Sequence, residues 1–232
     1  MSEMTDNIRK IVKDNDLIQK TKYNLNIEEQ KILAYIISMI EPNEQSLKEV
    51  EIKASDFLNM CGSNNLGGAN YKYLRETIQN LKNKSFWLKK GHEWCLLSWI
   101  RRVYMDTEAG ITKIELDPIL EEYLVGLYTK FTTYELRIVM KLKSSYSFRM
   151  YELLKSYENI KCPLIYDVAT LREYLGLEEN KYAIYSEFKR NVLEVAVREI
   201  NQKTDLNIQY QQIRHGRMIE KIQLTVSRKE EA

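Results

Sequence analysis

The apolar positions of residues 26–40, NIEEQKILAYIISMI, follow a helical period through Ile32, Leu33, Ile36, Ile37 and Ile40. Asn26, followed by Glu28 and Glu29, predicts the helix start, because a side-chain acceptor and first-turn acids both favour that end. Pro42 closes it. EVEIKA (49–54) alternates as a short strand, and Ser55 is the expected cap of a short helix, DFLNMCG, that stops at Gly62. SNNLGGAN (63–70) reads as a loop. YKYLRETIQNLKNKSF then reads as a helix with Leu74, Ile78 and Leu81 on one face. Two or three strands are predicted across 86–116, with turns at Lys90-Gly91 and Ala109-Gly110.

After a link around 117–132 the pattern restarts. ELRIVMKL and SYSFRMYELLKSY are helical, PLIYDV is a short strand, and 168–175 is a short helix ending at Gly176. EFKRNVLEVAVREINQKT is a longer helix whose Phe188, Val192, Val195, Ala196 and Ile200 share a side. LNIQYQQI and MIEKIQLTV alternate, joined at RHGR (214–217) as a hairpin. The order therefore repeats: helix, short strand, short helix ending in glycine, long helix, hairpin. IKASDFLNMCG (52–62) parallels YDVATLREYLG (166–176). The repeat predicts an α+β, helix-rich fold of two tandem winged-helix domains, each a helix-turn-helix plus β-hairpin, over 1–130 and 131–232. Two unrelated α+β domains with a coincident element order are the competing reading.

Composition narrows the function classes. The chain has 232 residues, enough for one large or two small cores. Its 35 basic and 33 acidic residues leave a formal charge of only +2, so a case for nucleic acid rests on where the cations sit. Cys61, Cys95 and Cys162 stand far apart with no C-x-x-C pair. Neither a disulfide framework nor a zinc site is expected, and a reducing cytoplasm fits. MSEMTDNIRK has no signal-peptide apolar core, and no apolar run reaches the ~18 residues of a membrane span.

The cations cluster in places that matter for DNA. A helix in the major groove presents its N-terminal half to base edges. On the second long helix that brings Tyr182, Ser186, Lys189 and Arg190 into reach, with Arg198 further along the polar side. The first long helix projects Lys72, Arg75 and Gln79 opposite its apolar face. A solvated face explains both helices equally well, and Glu187, Glu194 and Glu199 would repel phosphate. The hairpin tips add Lys89 and Lys90 in KKGH, and Arg214, His215 and Arg217 in RHGR. Cations at two matching tips are what wings on phosphates or in a minor groove need. In KLKSSYSFRMYELLKSY (141–157), Leu142, Tyr146, Met150, Leu153, Leu154 and Tyr157 form a stripe to be buried. Lys143, Ser144, Ser145, Ser147 and Arg149 remain around a helix N-terminus, an expected phosphate clamp.

LKSSYSFRMYELLKSYE resembles the signature of the plasmid replication initiators of the iteron-binding Rep type 3 family. So do NDLIQKTKYNLNIEEQKILAYIISMI, FKRNVLEVAVREINQKTDL and the closing hairpin, in family order over roughly 10–226. The resemblance implies tandem winged helices that bind directly repeated double-stranded DNA at a plasmid origin to start theta-type replication. It implies monomers that initiate and dimers that repress their own gene. It also implies a dimer surface mainly in the N-terminal domain, and host partners such as a helicase or the chromosomal initiator.

Two other classes compete. A nicking rolling-circle initiator wants a metal on paired histidines and a tyrosine nucleophile. Only His92 and His215 occur, far apart, and there is no G-x-x-x-x-G-K-[ST] loop for ATP. No enzyme activity, metal or cofactor is therefore expected. A winged-helix transcription regulator without an initiator role is the nearer rival.

Overall fold

The computed structural model describes residues 9–61, 68–160 and 162–229, so part of the expected 63–70 loop and the glycine stop at 62 lie outside the described residues. One motif is used twice. The first copy runs β1 (Lys10–Asp14), α1 (Asn15–Gln19), α2 (Ile27–Ile37), β2 (Val50–Lys53), α3 (Ala54–Met60), α4 (Gly68–Lys82), β3 (Ser85–Lys90), β4 (Glu93–Ser98), β5 (Ile100–Asp106) and β6 (Ile111–Leu116). A 3-10 turn at Pro118–Leu120 and α5 (Glu121–Leu124) lead onward. The second copy runs β7 (Phe131–Glu135), α6 (Leu136–Met140), α7 (Ser145–Lys155), β8 (Leu164–Asp167) and α8 (Val168–Tyr174). It ends with α9 (Tyr185–Phe188), a π turn (Lys189–Leu193), α10 (Glu194–Lys203), β9 (Leu206–His215) and β10 (Met218–Arg228).

Local chemistry explains the starts and stops. Asn26 and Glu29 form a reciprocal capping box on α2, each side chain accepting the other's backbone N–H at 2.8 Å. The helix ends at Ile37, before Pro42 is reached. α3 begins one residue before Ser55, on Lys53 as N-cap and without a side-chain cap, so Ser55 is not the cap it was expected to be.

Each copy closes on a three-stranded antiparallel sheet, ordered β2-β6-β5 in the first and β8-β10-β9 in the second. In both, the short strand before the helix pair lies against the last strand of the copy. The β5–β6 hairpin is therefore the counterpart of β9–β10. The β3–β4 ribbon is an insertion after α4, a two-stranded sheet of its own. The expected two or three strands across 86–116 are thus four.

This corrects the matching of the tips. Lys89 and Lys90 sit on the inserted ribbon. The first copy's true wing turns at residues 106–110, where Asp106 and Glu108 stand in place of the second wing's cations. Alternation locates strands but does not say which pair.

The two copies meet through their leading strands. β1 and β7 pair antiparallel, with Val12 opposite Thr133, the middle residue of each strand, so the pair is locally two-fold. Behind it α2 packs on α4 and on α6 and α7, while α7 packs on α10 and α1. One apolar core, from Ile11 to Leu224, runs through both copies.

Candidate nucleic-acid interface

The long helix of the second copy is α9, the π turn and α10 in continuity. A π turn holds more residues than an α turn, so it shifts the 100° reading of the faces. Leu193 joins Phe188, Val192, Ala196 and Ile200 in the core, and Val195 moves to half-exposure. Ser186, Arg190 and Arg198 are exposed on the other side, and Lys189 lies on the flank, 3.5 Å from Glu194. Tyr182 does not belong to this helix. It sits before it with φ +56°, its carbonyl accepting from Arg172 Nη1 at 2.6 Å.

On α4, the long helix of the first copy, Leu74, Ile78 and Leu81 are buried, while Lys72, Arg75 and Gln79 are exposed. Lys72 lies 3.9 Å from Glu76, a solvated pair that holds neither side chain firmly.

The second wing is a bare ribbon at its end. β8 covers only residues 221–224 of β10, and beyond it β9 and β10 have only each other. Gly216 turns the chain at φ +60°, and Arg214, His215 and Arg217 are exposed around it. On the inserted ribbon, Lys89 lies over the Trp94 ring at 5.5 Å, and Lys90 pairs with Glu122 at 2.8 Å, so part of that charge is already answered. The same ribbon exposes Trp87 and Trp94 on the face opposite buried Phe86, Leu88 and Leu97.

The expected phosphate clamp at the start of α7 is filled by the protein itself. Glu199 of α10 accepts from the backbone N–H of Lys143 at 3.1 Å and of Ser144 at 3.0 Å. Burial alone would raise the pKa of this carboxyl. The hydrogen bond from Lys203 and the two amides hold it below its ordinary range instead, so it stays an anion. Ser144 is the N-cap, its Oγ accepting from Ser147 N at 3.4 Å. Ser147 is fully buried, Ser145 half-buried, and of the group only Lys143 stays exposed. An internal carboxylate uses the donors a phosphate would need.

Arg149 is also withdrawn from the surface, with 1% exposure. Its guanidinium donates to the carbonyls of Ile18 at 2.7 Å, Thr21 at 2.8 Å and Tyr174 at 3.2 Å, and lies over the Tyr23 ring at 4.4 Å. Beside it Glu152, also buried, meets Lys13 Nζ at 2.5 Å and accepts from the hydroxyls of Tyr134 and Tyr23. Burial pushes both hydroxyls well above the usual tyrosine range, so they remain neutral donors. This cluster joins the first copy's opening segment to the second copy's central helix. It carries structure, whereas Lys72, Arg75, Ser186, Arg190 and Arg198 on the long helices are exposed.

Among the described residues, no group of three or more His, Cys, Asp or Glu is placed to hold a metal ion, and no helix is long and apolar enough to cross a membrane. Cys61, Cys95 and Cys162 are free thiols.

Known proteins agree with the doubled architecture. Residues 10–155 match the family described as "Initiator Replication protein, WH1", and residues 167–226 match "Initiator Rep protein, WH2". An Escherichia coli protein named "Uncharacterized 27.6 kDa protein" is 30% identical over 142 residues, 60% of this chain. The Escherichia coli "PI protein" is 32% identical over 139 residues, 54% of this chain. The chain spans about half the length of these two relatives, 59% and 46% respectively. A structure described as "Crystal structure of Pi initiator protein in complex with iteron DNA" superposes with a TM-score of 0.76 at 22% identity, covering 97% of this chain and 99% of that one. Domains 2 and 3 of RctB superpose at 0.51 and 11% identity over 94% of this chain and 82% of theirs. The fold and the two family matches, which between them take in all but the ends and the short link at 156–166, place this chain in the initiator replication protein family, with two winged-helix domains in tandem.

Proposed function

We propose that the chain initiates plasmid replication by binding directly repeated origin DNA, each molecule straddling successive grooves of one duplex. The observation that carries this is the doubled unit itself: two recognition helices in one chain, with Lys72 and Arg75 exposed on one, and Arg190 and Arg198 on the other. The relative whose structure holds iteron DNA has the same fold over its full length. In this reading the second unit reads most of the sequence, through Ser186, Lys189 and Arg190 on α9–α10. The first, divided from it near residue 130, contacts backbone and carries the dimer surface. The protein acts in the cytoplasm without catalysing a reaction, represses its own gene as a dimer, and hands the origin to host replication proteins.

An electrophoretic shift series on DNA immediately upstream of the gene tests this. Tandem repeats there should shift in steps, with affinity falling steeply with salt, the log–log slope being about −0.9 per phosphate neutralised. Binding indifferent to sequence and to salt would refute it. A plasmid carrying only this gene and those repeats should replicate. If it binds and represses but does not replicate, the chain is a regulator instead.

A further inference from the structure

The two wings are topological counterparts with opposite chemistry, and the second has a feature that charge alone does not explain. Met218 stands at its tip with 73% of its surface exposed. It lies directly across the ribbon from His215, next to Arg217 and the Gly216 turn, whereas Ile219 and Arg214 form the next cross-strand pair, on the opposite face. Ile219 is packed against the core, so the face bearing Met218 and His215 points away from the body. A bulge between Ile219 and Lys221 twists and re-aims the ribbon just where it leaves β8. The first wing has no such residue: its turn carries Asp106, Thr107, Glu108 and Ala109.

An unbranched apolar side chain flanked by cations at the end of a projecting ribbon is the composition of a minor-groove wedge. Such proteins set Arg beside phosphates and between groove walls, and push an apolar side chain between two base pairs, unstacking them and kinking the duplex. The thioether suits this, being flexible and polarisable. Pyrimidine–purine steps unstack most easily, so a wedge there selects sequence at a position no recognition helix touches.

We infer that the second wing enters the minor groove of the bound repeat and lodges Met218 at a flexible base step, with Arg217 of the turn holding the flanking backbone. This rests on the origin-binding reading and gives the second wing a specificity role that the first lacks. Met218 is solvent-exposed, so its replacement leaves the fold intact.

The test uses the full chain and duplex repeats carrying 2-aminopurine at each step in turn, with end-labelled fluorophores reporting the bend. Wild type should brighten the probe at one step beside the major-groove footprint and shorten the end-to-end distance. Met218→Ala should abolish the brightening and relax most of the bend, with an unchanged footprint and a several-fold loss of affinity. Met218→Leu should restore both signals. Arg217→Ala should reduce the salt slope by about one while the probe still brightens. A wild-type complex with a clear footprint but no brightened step, or a Met218→Ala complex bent and brightened like wild type, overturns the wedge and leaves origin binding standing. No complex on any repeat overturns both.

Discussion

The guanidinium of Arg149 donates to the backbone carbonyl of Thr21 at 2.8 Å, joining residues 128 positions apart in the chain. The bond turns a segment that looks like a phosphate site into the joint between two domains. With Ile18 and Tyr174 it uses three carbonyls from both copies. Removing a buried, hydrogen-bonded cation leaves these acceptors and Glu152 without their partner. Arg149→Ala should therefore cost about 3–5 kcal/mol of unfolding free energy. Urea denaturation should show that loss. At temperatures where the variant stays folded, the salt slope of its DNA binding should equal wild type's. A slope smaller by one with unchanged stability would mean that Arg149 does reach phosphate.

Glu152 gives the joint a pH dependence with a definite sign. Burial alone would raise its pKa, but Lys13 and then Arg149 more than offset this and hold it below the ordinary carboxylate range. A carboxyl whose folded pKa is depressed contributes stability that is complete above its unfolded value, about 4.3, and is lost as pH falls through the folded value. Asp205, bonded to Lys155 and Tyr151, and Glu199 shift the same way and steepen the same acid limb. Glu152→Gln should thus be far less stable than wild type at pH 7. The gap should narrow as pH falls below about 4, because wild type loses what the variant never had. Denaturation curves at pH 7 and at about pH 3.5 measure it. A gap of equal size at both would show that the charge on Glu152 is not what matters.

Gly176 makes the second joint. Its φ is +73°, and a Cβ built on it would stand 2.5 Å from the Tyr23 carbonyl oxygen, a backbone atom of the other copy. Lys22 pairs with Glu173, and Asn24 bonds Glu178 at 3.1 Å, closing the same seam. At Gly216 the φ is +60° but nothing lies within 4 Å, so alanine there meets only left-handed strain, on the order of 1–2 kcal/mol. Gly176→Ala should lose clearly more stability than Gly216→Ala, the difference being the cost of parting the two copies. Thermal melts of the two variants measure it, and equal losses would mean the seam opens freely.

How much of this the sequence shows depends on the range of the interaction. The capping box at Asn26, the buried faces of α2 and α4, and the turn at Gly216 are set by neighbours within a few residues, so periodicity and residue type reveal them. Glu199 is different: it fills the α7 N-terminus from 55 and 56 residues away, and a helix start with serines and lysines looks the same whether its anion is internal or a phosphate. Arg149 misleads for the same reason. Nothing local says that five-residue β1 and β7, 121 positions apart at Val12 and Thr133, pair with each other. The π turn hides because faces are counted with an α period. Sheet order matters most. From strand pattern alone KKGH is the first wing, and only the pairing of β2 with β6 moves that role to residues 106–110.

That reassignment separates the two wings in solution. Asp106 is occupied in its own turn, its Oδ1 accepting from the N–H of Glu108 and Ala109 at 2.9 Å, so Glu108 is the position that tests the first tip without unfolding it. An acidic tip gains nothing near phosphate, and Glu108→Ala should leave both the affinity for origin repeats and the salt slope unchanged. Arg214→Ala with Arg217→Ala should weaken all duplexes alike and flatten the slope by up to about two, one for each phosphate no longer neutralised. Arg190→Ala should behave differently from both. An arginine reading a base edge carries about 1–3 kcal/mol of discrimination, so binding to the repeats should fall while binding to unrelated duplex barely moves. Titrations of the three variants on repeat and scrambled DNA, each at several salt concentrations, sort the cases. If the wing double variant lost repeat binding alone, or Arg190→Ala lost both equally, the proposed assignment of phosphate contact to Arg214 and Arg217 and of base reading to Arg190 would fail.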